Sequence, residues 1–568
     1  MADGSGAERM MSRTEWKRRA GPVEPRRAVD VHTGTPSRRF PAWAIAVLLG
    51  TAHLGLALLA FDPTPHTGGD NAAYITLARS LLERGAYLEL WDPSLRPHTL
   101  YPPGFPALLA AAIGLGIDGW VGWKLIVTVL SAAAVAFSYL WLRARAGAPL
   151  ALAVGVILAW APGVVELGHW VLSDVPFWML TALALWAYGK GERGGGIGLG
   201  IGIAATVLAY FTRSAGLPLV IAAAAWLALE RRWRALALLA AVLLPLAFAW
   251  WLRGRGAVGD DYVAQFWYVN PYRPGLGRIG VSDLAVRIWE NARNYLLVHL
   301  PILVFGQARV VEAACGVVIG GLAFLGWLPR IRRPGVAELF APLYIGLILV
   351  WPAVWSGERF LLPALPLVLF YAAAAVAGGV RRARRLPAAL VGAVAVAAVV
   401  VLGVPAQLYG ARLGAACAAA YRAGDPYPCL SGDWRDFFNL AGWMRERLPE
   451  DAVVLSRKPR LFYALSGRQS RIYPLSPDPD GFFAAAEDAG ARYVILDHLD
   501  IQSRRYLVPI LRTRPHAFCV LHSYGPDRTT AFGILPGARS LPDAPAGDAG
   551  EIRFGVCPAA YLSSSGPR

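Results

Sequence analysis

A polytopic α-helical membrane protein with a C-terminal α/β domain outside the bilayer is the fold class predicted by this 568-residue sequence. Three observations carry the prediction. Hydrophobic residues make up 56% of the chain and charged ones only 16%, with a mean hydropathy of +0.43. Soluble domains are roughly a quarter charged. Long apolar stretches alternate with short basic runs, the pattern of cytoplasmic membrane loops. From about Tyr409 onward the apolar runs shorten and the composition becomes that of a globular domain.

Residues 1–40 are polar and Pro/Gly/Arg-rich, with nine Lys/Arg against five Asp/Glu. They read as a disordered basic cytoplasmic tail without a cleavable signal peptide. The formal charge of +17 invites a nucleic-acid reading. However, the basic residues lie in short runs between apolar stretches, and no stacking platform or basic helix face accompanies them, so nucleic acid is not an expected partner. The runs are Arg143 and Arg145; Lys190 and Arg193; Arg231, Arg232 and Arg234; Arg330, Arg332 and Arg333; and Arg381, Arg382, Arg384 and Arg385. With all five inside, about eleven transmembrane helices follow, near 42–61, 120–142, 148–164, 171–188, 196–212, 215–229, 235–252, 310–328, 336–355, 360–379 and 387–408. The transmembrane domain is 41–408, and the odd count places residues 409–568 outside.

The apolar stretch 104–117 is short for a crossing and is expected to lie at the interface or insert halfway. Two outer loops are long, 62–119 and 253–309. The first opens acidic, with five Asp/Glu and three Arg over residues 61–103. In the C-terminal region, Asp433 is expected to cap a helix through Leu448. Runs rich in β-formers at 452–455, 492–497, 518–524 and 529–535 alternate with helical stretches near 459–466, 480–489 and 503–513, which predicts a small extracytoplasmic α/β domain. Cys417, Cys429, Cys519 and Cys557 fall here. They either pair as Cys417–Cys429 and Cys519–Cys557 or remain thiols.

Asp70, in His66-Thr67-Gly68-Gly69-Asp70-Asn71, opens a helical pattern through Tyr74, Leu77, Ala78 and Leu81 just after the first span. It reads as an N-cap, and also as a carboxylate base at the water–membrane edge. Asp174 (in Leu172-Ser173-Asp174-Val175-Pro176), Arg213 (in Thr212-Arg213-Ser214), and Glu358 with Arg359 fall at outer ends of spans. Singly they read as interfacial charges, with Arg213 snorkelling. Two acids and two arginines converging at the level of Asp70 suggest a shared site. Tyr74, Tyr101, His169 and Glu358 are candidates for an acceptor or pocket role. The glycine-rich stretch 194–202 lacks dinucleotide-binding spacing.

These pieces resemble the GT-C membrane glycosyltransferases, the superfamily of protein O-mannosyltransferases and the lipid A aminoarabinose transferase. The resemblance is carried by Gly69-Asp70 and the helix Tyr74–Gly85, Tyr101-Pro102-Pro103-Gly104-Phe105-Pro106, Leu172–Phe177, Thr212–Gly216 and Glu358–Pro363. Lys458-Pro459-Arg460 and Tyr493–Asp497 look like the outer domain of bacterial members. It implies a bacterial inner-membrane enzyme that moves a sugar from a polyprenyl-phosphate donor to a glycan, lipid or protein hydroxyl, with inversion. Asp70 is the implied base, and Asp174 would orient the acceptor or the base, or help hold a metal. Arg213, Arg359, Arg273 and Lys458 are candidates for the donor phosphate. The family's acidic pair in the first loop is here Asp70-Asn71, which weakens a metal role. A divalent metal is compatible with this reading and is not required by it. A transporter or flippase of a lipid-linked or anionic substrate is the alternative. It predicts ionisable groups near the mid-membrane and paired repeats, whereas the charges here cluster at one edge.

Overall fold

The computed structural model describes residues 40–191, 195–255, 262–383, 387–525, 528–544 and 554–562. The predicted tail lies outside these apart from Phe40, as do Arg193, Gly194, Arg384 and Arg385. All eleven stretches expected to be spans are helical. Five helices are long and apolar enough to cross a bilayer: Ala42–Leu59, Trp120–Arg145, Trp233–Gly254, Val310–Arg332 and Ala389–Arg422. Most of the others are shorter than expected, and proline explains several of the limits. Pro149 and Pro218 stand in first turns, where the missing N–H costs nothing, and Pro162 ends the run Ala148–Trp160 and starts a new short helix. The last helix continues without a break to Arg422, fourteen residues beyond the expected end at 408. The stretch 104–117 forms the helix Gly104–Gly114. At 1.5 Å per residue it is about 16 Å long, roughly half a bilayer core.

The Trp120–Arg145 helix fixes the ends of the bundle. Near its start, the buried Lys124 ammonium donates to the carbonyls of Asp62 (2.7 Å) and Thr64 (2.5 Å), just before the Asp70 helix. Its last turn carries Arg143 and Arg145, cations at the negative end of the helix dipole. Arg145 pairs with Glu338 in the neighbouring Val336–Val350 helix. The basic run therefore lies at the far end of this helix from Asp70.

The C-terminal region is a six-stranded sheet packed between helices. The strands are β1 (Val453–Leu455), β2 (Gln469–Arg471), β3 (Tyr493–Leu496), β4 (Phe518–Tyr524), β5 (Thr529–Ile534) and β6 (Gly555–Val556), in the order β2-β1-β3-β5-β4-β6. β1 is parallel to β2 and β3, and β5 is antiparallel to β3 and β4. Alternation along the strands sorts the core into two layers. Val453, Leu455 and Val494 pack with Phe482, Phe483, Leu507 and Ile510 on one face. Val454, Tyr493 and Ile495 pack with Phe437, Phe438, Leu461 and Phe462 on the other. The short strands β2 and β6 were not legible in the sequence. Asp433 is not a cap: the helix runs Gly432–Arg447 after Ser431, with Asp433 in its first turn. Both disulfides, Cys417–Cys429 and Cys519–Cys557, are formed.

The first outer loop docks on the β2 edge of this sheet. The Ser470 N–H donates to the Trp91 carbonyl (2.6 Å), and Arg471 donates to the buried Asp92 carboxylate (3.0 Å). Ala72 of the Asp70 helix is buried in the second layer of the sheet core. Burial alone would raise the Asp92 carboxyl, but hydrogen bonds from Arg471 and Ser94 outweigh it and hold the group below its ordinary value. Asp92→Ala is expected to cost about 1–3 kcal/mol, the usual penalty for stranding a charged hydrogen-bond partner. Thermal unfolding of the purified chain in detergent measures it, and an unchanged midpoint contradicts the docking.

Candidate active site

Asp70 lies in the first turn of the helix Gly69–Arg84, whose N-cap is Gly68, and its side chain makes no capping bond. The cap reading is thus corrected: the carboxylate is turned away from its own helix and is bound by groups from three other stretches. Tyr101 Oη donates to Asp70 Oδ1 (2.8 Å). Arg359 Nη1 and Nη2 donate to Oδ2 at 3.3 and 3.2 Å. Arg460, from the sheet domain, donates to Tyr101 Oη (2.8 Å) and stands 3.9 Å from Oδ1.

The second acid sits in a parallel arrangement. Arg213 Nη1 donates to Asp174 Oδ2 and to Ser173 Oγ, both at 3.0 Å. Ser173 Oγ meets Tyr74 Oη at 2.8 Å, and the Tyr74 ring lies 5.0 Å from that of Tyr101. Phe360 closes the circle, with the Arg213 guanidinium 5.0 Å and the Arg359 guanidinium 4.8 Å from its ring. Two carboxylates and three guanidiniums thus form one continuous cluster.

Local sequence explains the positions. A Cβ on Gly104 would lie 2.6 Å from the Phe211 carbonyl, so only glycine lets the 104–114 helix approach the chain two residues before Arg213. Tyr101 is fixed by a relay in the first loop: its N–H donates to His98 Nε2 (3.0 Å), and His98 Nδ1 donates to Glu89 (2.8 Å). Burial lowers the His98 pKa despite Glu89, which keeps the ring neutral, as an Nε2 acceptor requires. Tyr344 Oη donates to the Phe360 carbonyl (2.8 Å) and pins the turn bearing Arg359.

The remaining sequence candidates fall elsewhere. Glu358 pairs with His299 (3.3 Å). His169 is buried against His66, whose ring is 6.4 Å away, and no contact joins it to Asp70. Arg273 is exposed, and its side chain has no ion pair or hydrogen bond among the described residues. Lys458 Nζ lies over the Trp434 ring (5.6 Å). Burial and Arg457 lower its pKa, while Asp500, Asp497 and Asp70 act in the opposite direction. Arg460, two residues on, makes the contacts with Tyr101 and Asp70. Arg460, Ser173, Glu89 and His98 were missed by sequence reasoning. Of these, Arg460 alone had a signal, as the second cation of Lys458-Pro459-Arg460. Proline at the first turn starts a helix there, and the turn carries Arg460 to Tyr101.

Burial pushes the Asp70 carboxyl up, but Arg359, Arg460 and the Tyr101 hydroxyl outweigh it and hold the group below its ordinary 3.8. The donor set does not fit a divalent metal, because each acid is already neutralised by guanidinium. Among the described residues one trio of metal-ligating types converges, Asp62 with Cys417 and Cys429. Its two sulfurs are joined in a disulfide.

The helical bundle with a terminal sheet domain shares its fold with solved glycosyl-transfer enzymes of low sequence identity. Three solved structures of two proteins show this at low identity. The oligosaccharyltransferase of Archaeoglobus fulgidus, in complex with Zn and sulfate, has a TM-score of 0.54 at 14% identity, over 87% of this chain and 73% of that one. ArnT from Cupriavidus metallidurans in the apo state gives 0.53 at 14%, over 88% and 99%, and bound to undecaprenyl phosphate it gives 0.51 at 15%. No protein-family model and no curated protein matches the chain. The resemblance read from the residues is borne out at the level of the fold.

Arg460→Gln is expected to raise the titration midpoint of Asp70 by removing one of its two cations. Infrared difference spectroscopy, with Asp70→Asn as the assignment control, reads it. An unmoved midpoint contradicts the coupling.

Proposed function

We propose that this chain is an inverting glycosyltransferase that moves a sugar from a polyprenyl-phosphate donor to an acceptor hydroxyl at the outer face of a bacterial inner membrane. Eleven helices span the bilayer in this reading, with the N-terminus cytoplasmic and the 409–568 domain outside. The observation that carries it is the cluster itself: Asp70 and Asp174 share one site with Arg213, Arg359 and Arg460, on a GT-C fold. The Archaeoglobus neighbour is an oligosaccharyltransferase, and ArnT has been seen with undecaprenyl phosphate, which supports a lipid-linked donor here.

The chemistry needs few groups. The acceptor oxygen attacks the anomeric carbon from the face opposite the phosphate. The new C–O bond forms as the bond to phosphate oxygen breaks, the hydroxyl proton passes to Asp70, and polyprenyl phosphate leaves. Phosphate is already a good leaving group, so no general acid is required. The charge it gains is met by Arg359 and Arg213, whose forked donors suit phosphate oxygens. Asp174 holds Arg213 in place. In the donor-free chain the two guanidiniums hold the Asp70 carboxyl below its ordinary value, which makes it a weaker base. A phosphate that engages Arg359 offsets that cation, and the carboxylate becomes more basic when a donor is present.

Asp70→Asn is expected to lower transfer from a lipid-linked donor by about a hundred- to ten-thousand-fold, the usual size of a lost general base. The chain should still fold and bind donor; near-full activity of the purified variant removes Asp70 from the reaction. Arg359→Ala is expected to raise the donor KM, and unchanged donor kinetics argue against a phosphate contact. The pH dependence has a definite sign. A depressed carboxyl pKa keeps Asp70 charged as the pH falls, so the acid limb of kcat/KM lies below about pH 4. A limb at pH 5–6 contradicts the assignment.

A further inference from the structure

The sheet domain contains a feature that the transfer site does not use. β1 and β3 are adjacent and parallel, so their carboxyl ends share one edge. The chain leaving β1 turns to the Pro459–Ser466 helix, whose Leu461 and Phe462 pack on one face. The chain leaving β3 turns to the stretch 503–513, whose Leu507 and Ile510 pack on the other. Where neighbouring parallel strands send their loops to opposite faces, a cleft opens at their carboxyl ends, and ligands bind there in open α/β sheets.

The residues at this switch point are polar, and several are unsatisfied. Ser456, Arg457 and Lys458 follow β1; Asp497 and His498 follow β3. Asp497 Oδ1 accepts from Ser503 Oγ (3.0 Å), and Arg457 pairs with Asp500 (3.2 Å). Asp497 Oδ2, Arg457 Nε, His498 Nε2 and Gln502 Oε1 are buried and have no hydrogen-bond partner among the described residues. Asp497 is fully buried, and Arg457 and Gln502 are 7% and 8% exposed. Buried polar atoms of folded proteins are seldom left unpaired, so four at one sheet edge call for a partner. Burial pushes the Asp497 carboxyl up to about 6. Tyr272 of the second outer loop lies against the same edge, its ring 5.1 Å from the Arg457 guanidinium.

We propose that this cleft, lined by Ser456, Arg457, Lys458, Asp497, His498 and Gln502, binds the ring hydroxyls of a neutral sugar. The choice of ligand rests on the transferase reading. Two cations face two acids, which disfavours a phosphate. The mixture of fixed donors and acceptors beside a tyrosine ring matches vicinal hydroxyls, each of which both donates and accepts. The Arg457–Arg460 segment joins the cleft to the Asp70 cluster within three residues, so a sugar held here is next to the reacting centre. That sugar belongs either to the donor or to a glycan acceptor.

The test uses the full chain in nanodiscs and reads amide hydrogen exchange over residues 456–460 and 497–503. The probes are methyl α-mannopyranoside, methyl β-glucopyranoside and methyl α-arabinofuranoside, with inorganic phosphate and undecaprenyl phosphate as controls. At least one glycoside is expected to slow exchange in both segments, in wild type and in Asp70→Asn alike. Gln502→Leu and Arg457→Lys, each checked for unaltered circular dichroism, are expected to weaken it about tenfold. A polyprenyl-phospho-sugar that displaces the glycoside assigns the cleft to the donor; one that binds alongside it assigns the cleft to the acceptor. No protection by any glycoside, equal protection by inorganic phosphate, or unchanged affinity in both variants overturns the proposal. The two readings fail separately. A chain that transfers sugar but shows no glycoside binding here loses only this cleft. One that binds glycosides here but turns over no lipid-linked donor loses the transferase reading.

Discussion

The carboxylate of Asp70 is reached by guanidinium groups from chain stretches 289 and 390 residues away, Arg359 at the end of one bundle helix and Arg460 on the sheet domain. That convergence constrains the rest of the molecule. It requires the Asp70 helix to lie against the bundle, the turn at Gly357–Leu361 to present Arg359, and the sheet domain to dock on the first outer loop. The docking contacts, Arg471 on Asp92 and the β2 edge on Trp91, serve the same geometry, because they bring Arg460 to Tyr101.

The cluster is built from opposed charges in a partly dry setting. Ion pairs of this kind add little net stability where exposed, and the loss of one partner is costly where buried. Their arrangement favours a ligand that can exchange with them. In the proposed reaction an incoming phosphate competes with Asp70 for Arg359 without stranding either group, since the acceptor hydroxyl then meets the released carboxylate. The relay through Glu89, His98 and Tyr101 keeps one donor on Asp70 during that exchange. Positioning is thus assigned to the Tyr101 hydroxyl and the neutral His98 ring behind it, and charge compensation to the guanidiniums.

Much of this was legible in the sequence, for identifiable reasons. Apolar length and basic runs located the helices of the eleven expected spans, because both follow from the bilayer as solvent; the helical stretch 295–305, whose Leu300, Leu303 and Phe305 pack in the bundle core, falls in the expected outer loop 253–309. Proline and glycine explained where several of them stop. The β-branched and aromatic runs located four strands, and β2 and β6 escaped because two or three residues carry no periodicity. The shared site of Asp70 with Arg359, and of Asp174 with Arg213, was readable from their common level. Which side chain touches which was not. Asp70 resembles a cap from its neighbours alone, and only tertiary contacts turn it outward. Lys458 and Arg460 differ by half a helical turn, which decides which of them reaches Tyr101. Arg273 and His169 carry the right chemistry, and nothing in one sequence shows that the fold leaves them outside the cluster.

The central claim is that Asp70 and Arg359 are physically paired. A double-mutant cycle on Asp70→Asn and Arg359→Gln, read by thermal unfolding of the purified chain in nanodiscs, tests it most directly. Paired groups give a coupling energy of about 0.5–3 kcal/mol, with the double variant less destabilised than the sum of the singles. Strict additivity of the two substitutions would contradict the pairing, and with it the site.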